Sequence, residues 1–171
     1  MKRIIITLSL VIILNSCKEN KFLDLGNKKT FELRDYAGAI LDYNKSIKDS
    51  PNNGEAYYYR GYAKLCLDNY NDAIIDFNKA IKLNNFDDSF KGLILLDRGT
   101  AYLNLGNYPA AINDYDASIV LSPDDPTCYF PRGKAKFALG LKEDACEDWD
   151  EYIALGGGDV NDLKEINDNC N

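Results

Sequence analysis

Three arginines and three aspartates recur in this chain at a single spacing. Arg60, Arg98 and Arg132 precede Asp76, Asp114 and Asp148 by the same interval each time. Asp42 holds the matching place in an earlier segment, where no arginine stands at that interval before it. Guanidinium and carboxylate groups in this pattern can do two things. A row of forked donors can bind an anionic ligand, or each fork can grip a carboxylate between packed helices. The joint recurrence of both partners favours the structural pairing. Its direction stays open. Pairing inside a segment leaves Asp42 over, and pairing with the preceding segment leaves Asp148 over.

Other reactive residues are few. The chain has no histidine. That removes the usual general base, the Ser-His and Cys-His nucleophile systems and most zinc chemistry. The CxxC, GxSxG, P-loop and GxGxxG patterns do not occur. No catalytic residue, metal or cofactor is predicted, and the chain reads as a non-enzyme. With 20 basic and 27 acidic residues the net charge is −7, without a basic cluster. Nucleic acid is therefore excluded as a partner, because its phosphates would be repelled.

The first residues carry a different signal. Lys2 and Arg3 precede Ile4–Leu14, an apolar run broken only by Thr7 and Ser9. It is well short of the roughly 20 residues that span a bilayer, but it suits the apolar core of a secretory signal. Leu14-Asn15-Ser16-Cys17 follows and resembles the bacterial lipobox, departing from it at Asn15. That resemblance implies a leader at 1–16 and acylation of Cys17, palmitate among the chains. Residues 17–21 then form a tether. Several acyl chains on one cysteine give stable attachment, since each buried CH₂ contributes about 0.8 kcal/mol. Lys18 stands where an aspartate would mark inner-membrane retention, which points to the outer membrane, on a side left open. A plain secretory signal and an uncleaved anchor are the competing readings.

The elements that must hold these residues repeat. Segments 56–81, 94–119 and 128–153 match when overlaid. Gly99 and Gly133 are one period apart, as are Tyr115 and Trp149. Gly61 and Gly99 are further apart by four, which reads as an insertion around 85–90. A period of about 34 residues means an α-solenoid, in which each helix pair buries its apolar face by stacking on the next. The glycines and Ala73, Ala111 and Ala145 permit close helix approach. Tyr43, Phe77, Tyr115 and Trp149 fill the space between neighbouring units.

Tyr57, Gly61, Tyr70, Ala73, Phe77 and Ala80, with their counterparts in the later segments, resemble the tetratricopeptide repeat (TPR) family. The resemblance implies an all-α solenoid of antiparallel helix pairs with a C-terminal capping helix. The expected organisation is a degenerate first repeat at 22–52 and a repeat with its insertion at 53–90. Repeats at 91–125 and 126–157 and a cap at 158–171 follow. The first helix, around Phe22–Gly26, shows no glycine or alanine approach pattern in register. Cys146 and Cys170 fall on helices that should pack together, so they can form a disulfide or stay as buried thiols. Cys66 and Cys128, two repeats apart, exceed the Cα separation of about 7 Å that a bond allows.

In the family the first helices line a concave face. Carried over, the inward positions are Glu55, Tyr58, Tyr62 and Leu65, then Leu96, Thr100 and Leu103, then Phe130, Lys134 and Phe137. Members that clamp a chaperone's C-terminal carboxylate use Lys and Asn at two of these sites. Tyr58 and Tyr62 stand there instead, so that role is not implied. The expectation is a non-catalytic scaffold that holds a protein or peptide and is lipid-anchored in a bacterial cell envelope. The alternatives are a structural protein that associates with itself, or a groove filled by the chain's own packing. Neither the partner's identity nor the oligomeric state can be read from the residues.

Overall fold

The structure is a computed structural model that describes residues 21–83 and 86–170. The leader, Cys17 and most of the tether lie outside the described residues. Within them there is no strand, and no helix is long and apolar enough to cross a membrane. The chain is all-α, built from antiparallel helix pairs of the solenoid type, and divides into two compact bodies at Asn84/Asn85.

The first body opens with a helical segment at 21–32 whose last turn, Lys28–Glu32, is π-helical. It continues with α1 (Tyr36–Asp49), α2 (Gly54–Leu65) and α3 (Tyr70–Leu83). The second body contains α4 (Asp88–Asn104), α5 (Tyr108–Leu121), a 3₁₀ turn (Pro126–Cys128), α6 (Tyr129–Ala138), α7 (Lys142–Ala154) and α8 (Val160–Cys170). Short side chains set the starts. Asp35, Asn53, Asp87 and Asn107 each accept a hydrogen bond from the backbone N–H three residues on, which satisfies a free donor of α1, α2, α4 and α5.

One backbone feature recurs at the turn inside each helix pair. Arg34, Asp68, Gly106 and Gly140 adopt φ of 52, 60, 73 and 81°. Each stands two or three residues past its helix end, where a left-handed residue closes the helix. Only the last two are glycines, so sequence alone marks half of the series.

A second recurring feature sets helix separation. A Cβ on Gly61 would lie 2.9 Å from the Phe77 ring, and one on Gly99 would lie 2.8 Å from the Tyr115 ring. Gly133 meets Trp149 in the same way. The aromatic ring thus lies flush on the backbone of the facing helix. Around these contacts the cores are nearly dry. Tyr43, Phe77, Tyr115, Ala39, Ala63, Ala111 and Ala135 are all 0% exposed.

The first helix departs from expectation. Gly26 does make the approach contact, with a Cβ position 2.7 Å from Tyr43 Cδ1. Glycine and ring stand one residue further apart there than in the other three pairs. The π turn at 28–32 accounts for the difference, because a π turn is a one-residue insertion into an α-helix. The insertion expected around 85–90 lies at the start of the third repeat. From Asp88 onward it is helical and extends α4 to 17 residues, against 12 in α2.

Gly26→Ala should therefore destabilise the chain as much as Gly99→Ala, by about 1–3 kcal/mol from overpacking. Gly106→Ala, where nothing lies within 4 Å of the added Cβ, should lose only the ~1 kcal/mol cost of its left-handed backbone. Urea denaturation of the three variants measures this. A neutral Gly26→Ala would remove the first helix from the repeat series.

Candidate functional site

Each expected arginine reaches the aspartate of its own helix pair. Arg60 Nε and Nη2 donate to Asp76 at 2.8 and 2.6 Å. Arg98 does the same to Asp114 at 2.7 and 2.6 Å. Arg132 Nε donates to Asp148 at 2.9 Å, with Nη2 on the other oxygen at 2.5 Å. The carboxylates are buried, Asp76 at 1% exposure. The remaining Nη1 of Arg60 reaches back to Asn44 Oδ1 at 2.6 Å, and that of Arg132 to Asp116 Oδ1 at 2.6 Å. Asn44 and Asp116 both lie upstream of their arginines, on the second helix of the preceding pair. Of the two directions left open by the sequence, the fork takes the one inside its own pair; the spare nitrogen holds the previous pair through Asn44 or Asp116, not through the recurring aspartate.

Lysines complete the shells. Lys64 and Lys136, one turn after their arginines, bond the same carboxylates at 2.7 and 2.9 Å. Asp42 is not left over. Lys29, from the leading helix, bonds it at 2.6 Å and Lys45 at 3.0 Å. Burial pushes the Asp42 carboxyl upward, but the two ammonium groups outweigh it and hold the carboxyl below the usual carboxylate range. Forks with both donors engaged are not a site for anionic ligands; their charge serves to join helices.

The buried phenols add to this joinery. Tyr43 OH donates to Asn27 Oδ1 at 2.9 Å and lies 2.9 Å from the Thr30 hydroxyl. Burial lifts its pKa to about 12, with the Thr30 bond opposing. Tyr115 OH donates to Thr100 Oγ1 at 3.3 Å, and burial keeps that phenol neutral well above its ordinary range. Thr100 Oγ1 in turn donates to the Leu96 carbonyl at 2.9 Å.

The cysteines separate into two classes. Cys146 and Cys170 are joined, with Cα atoms 5.8 Å apart. The bond ties α8 to α7 beside the cluster of Ala145, Trp149 and Ile166. Cys66 and Cys128 are free. Burial pushes the Cys128 thiol up, and it donates to Ser118 Oγ at 3.2 Å. A protonated, enclosed thiol is a packing group, not a nucleophile.

The ten inward positions taken from the family divide by environment. In the first body Tyr58 is a core residue, 3% exposed, with ring centroids 5.0 Å from Tyr59 and 6.0 Å from Phe77. Glu55 is exposed, and Tyr62 and Leu65 are half-buried. Phe31, on the leading helix, is 56% exposed and stacks on Tyr62 at 5.8 Å. It was not among the expected residues, because its helix lies out of register.

In the second body Leu96 and Leu103 are packed against the Ala111–Tyr115 cluster. Phe130 stacks on Tyr152 at 5.2 Å. Lys134 sits 5.4 Å above the Phe130 ring and reaches Glu165 of α8 at 3.5 Å. Phe137 lies on Trp149 at 5.8 Å and stays 37% exposed. Capping thus occupies part of the last repeat's face, and Phe31, Tyr62, Leu65, Leu96, Leu103 and Phe137 carry what remains open.

The ion pairs set two expectations. Arg60→Ala and Asp76→Ala should be strongly non-additive, by about 1–3 kcal/mol, whereas Arg60→Ala and Asp42→Ala should add within about 0.5 kcal/mol. A double-mutant cycle by urea unfolding decides it; coupling to Asp42 would contradict the geometry. The Asp42 carboxyl titrates lower folded than unfolded, so its stabilisation is present above the unfolded value near ~3.9. It is lost as pH falls through the folded value. The stability gap between wild type and Lys29→Met should therefore be largest near neutrality and close at acid pH. A gap that widens on acidification would reverse the sign.

Comparisons with known proteins agree with this architecture. Residues 54–87 match the family model described as tetratricopeptide repeat, and residues 99–140 match one described as TPR repeat. Among curated proteins no sequence matches. A solved structure of MamA is similar at 25% identity and TM-score 0.75, covering 86% of this chain and 78% of that one. The Cut9 complex with Hcn1, from the APC/C, has 17% identity and TM-score 0.81, over 88% of this chain and 29% of that one. The first TPR of Spaghetti (RPAP3), bound to the HSP90 peptide SRMEEVD, has 21% identity and TM-score 0.61, over 67% and 88%. The last two likenesses concern the fold alone. Helix pairs, approach glycines, ring contacts and family-model matches converge on an α-solenoid of helix pairs that is similar to tetratricopeptide repeats at 54–87 and 99–140.

Proposed function

We propose that this chain is a non-catalytic scaffold that holds a protein or peptide partner against the first helices of its repeats. It is lipid-anchored through Cys17 in a bacterial cell envelope, at the outer membrane. The observation that carries the scaffold reading is the division of labour among side chains. The recurring arginines and aspartates are locked in helix-joining pairs. Beside the charged Glu55 and Lys134, the first helices leave aromatic groups open: Phe31 at 56% exposure and Phe137 at 37%. Open apolar surface on a rigid frame is what a docking face offers. The similarity to a TPR domain solved with a peptide supports the same reading. The anchor rests on the lipobox-like Leu14-Asn15-Ser16-Cys17 alone.

A photo-reactive amino acid placed at Tyr62 or Phe137 of the full chain, expressed in a bacterial envelope, should give protein adducts. The same group at the exposed Lys48 of α1 should not. Equal labelling at all three positions, or none, would remove the docking face. In the same cells Cys17→Ala should move the chain from the detergent phase to the aqueous phase. Retention in the detergent phase would remove the lipid anchor.

A further inference from the structure

We propose that the insertion ahead of α4 builds a receptor for a basic side chain, lysine or arginine, of the bound partner segment. The inference rests on the scaffold reading and specifies the chemistry of what is held.

The added residues lengthen α4 at its N-terminal end, and between that turn and the end of α5 lies a cavity of about 290 Å³. This is at the lower bound for sites that take small ligands, and it suits one long side chain. Phe90, Leu93 and Leu96 form its apolar side, with Leu93 41% exposed. Asp87, Asp125 and Ser122 form the polar side.

Three features there are negative. Asp87 Oδ1 accepts the Phe90 N–H at 2.8 Å. Asp125 Oδ1 accepts the Thr127 N–H at 3.0 Å and the Thr127 hydroxyl at 2.7 Å. These bonds fix both carboxylates through one oxygen each. Among the described residues neither is paired with a lysine or arginine. The third feature is the carbonyl end of α5. Its last turn has no basic residue, as in α4, α7 and α8. A helix C-terminus carries about half a negative charge. The positive end of α4 is answered locally by Asp87 and by Asp88 in its first turn. The site therefore attracts a cation beside an apolar wall. Lysine and arginine supply both halves, a charged head and an aliphatic stem.

The test uses the full chain in nonionic detergent and fluorescein-labelled nine-residue peptides, Leu-Lys-Leu at the centre with glycine and serine flanks. Fluorescence anisotropy should show the lysine peptide binding about tenfold more tightly than its acetyl-lysine counterpart, with the glutamate counterpart weaker still. The double variant Asp87→Asn, Asp125→Asn should lower lysine-peptide affinity about tenfold at an unchanged thermal midpoint, because asparagine caps a helix as well as aspartate does. Equal binding of lysine and acetyl-lysine peptides, no binding, or full affinity in the double variant overturns the proposal. If that happens while adducts at Tyr62 or Phe137 persist, the cavity assignment alone falls. If the adducts are missing too, the scaffold reading falls with it.

Discussion

A carboxylate removed from water costs several kcal/mol unless its lone pairs are met, and each helix pair of this chain buries at least one. Everything else in the architecture is compatible with that requirement or follows from it. The carboxylate sits one residue before the ring that fills the pair, so the fork that answers it must come from the residue before the approach glycine. Arg60-Gly61, Arg98-Gly99 and Arg132-Gly133 are that arrangement. Glycine brings the helices close enough for a short bidentate bond, and the bond fixes the register at which the ring meets the glycine. Removing either would leave the other without its reason.

The spare guanidinium nitrogen extends the same constraint along the chain. Arg60 to Asn44 and Arg132 to Asp116 tie one pair to the pair before it. Repeat proteins are stabilised by terms within a unit and terms between neighbours, and here one side chain serves both. In the first repeat no arginine fork stands opposite Asp42 among the described residues. A lysine suffices there, and Lys29 with Lys45 takes the place of the fork. The last repeat is followed, among the described residues, by the single helix α8. Its outer side is covered by α8, joined through Cys146–Cys170, through Ile166 and through the Tyr152 hydroxyl on Asp162 at 2.8 Å.

The fold was legible because its period is carried by side chains that the packing cannot exchange: glycine under a ring, arginine opposite aspartate. Where the same job is done by another residue, the residue types give no sign of it. Gly26 does the work of Gly61 from a position shifted by one π turn, and a fixed-period comparison passes over it. Arg34 and Asp68 hold the left-handed turn that Gly106 and Gly140 hold elsewhere, and neither residue type marks that conformation. The inward face was harder to read. Tyr58 and Tyr62 are one helical turn apart, yet one is core and the other half-open, because Phe77 reaches Tyr58 and Phe31 stacks on Tyr62. Such assignments depend on the neighbouring helix, which spacing alone does not provide.

The same disposition of charge shapes what the surface can hold. The chain has 20 basic against 27 acidic residues, and much of the basic side is turned inward. Arg60, Arg98 and Arg132 lie in forks, and Lys29, Lys45, Lys64 and Lys136 complete the same shells. Seven basic groups are thus committed to only four buried aspartates. The field outside the repeats is therefore more acidic than the net charge of −7 conveys. A ladder that joins helices thus also biases recognition, repelling acidic tails and drawing basic segments, without any residue of the ladder touching the partner.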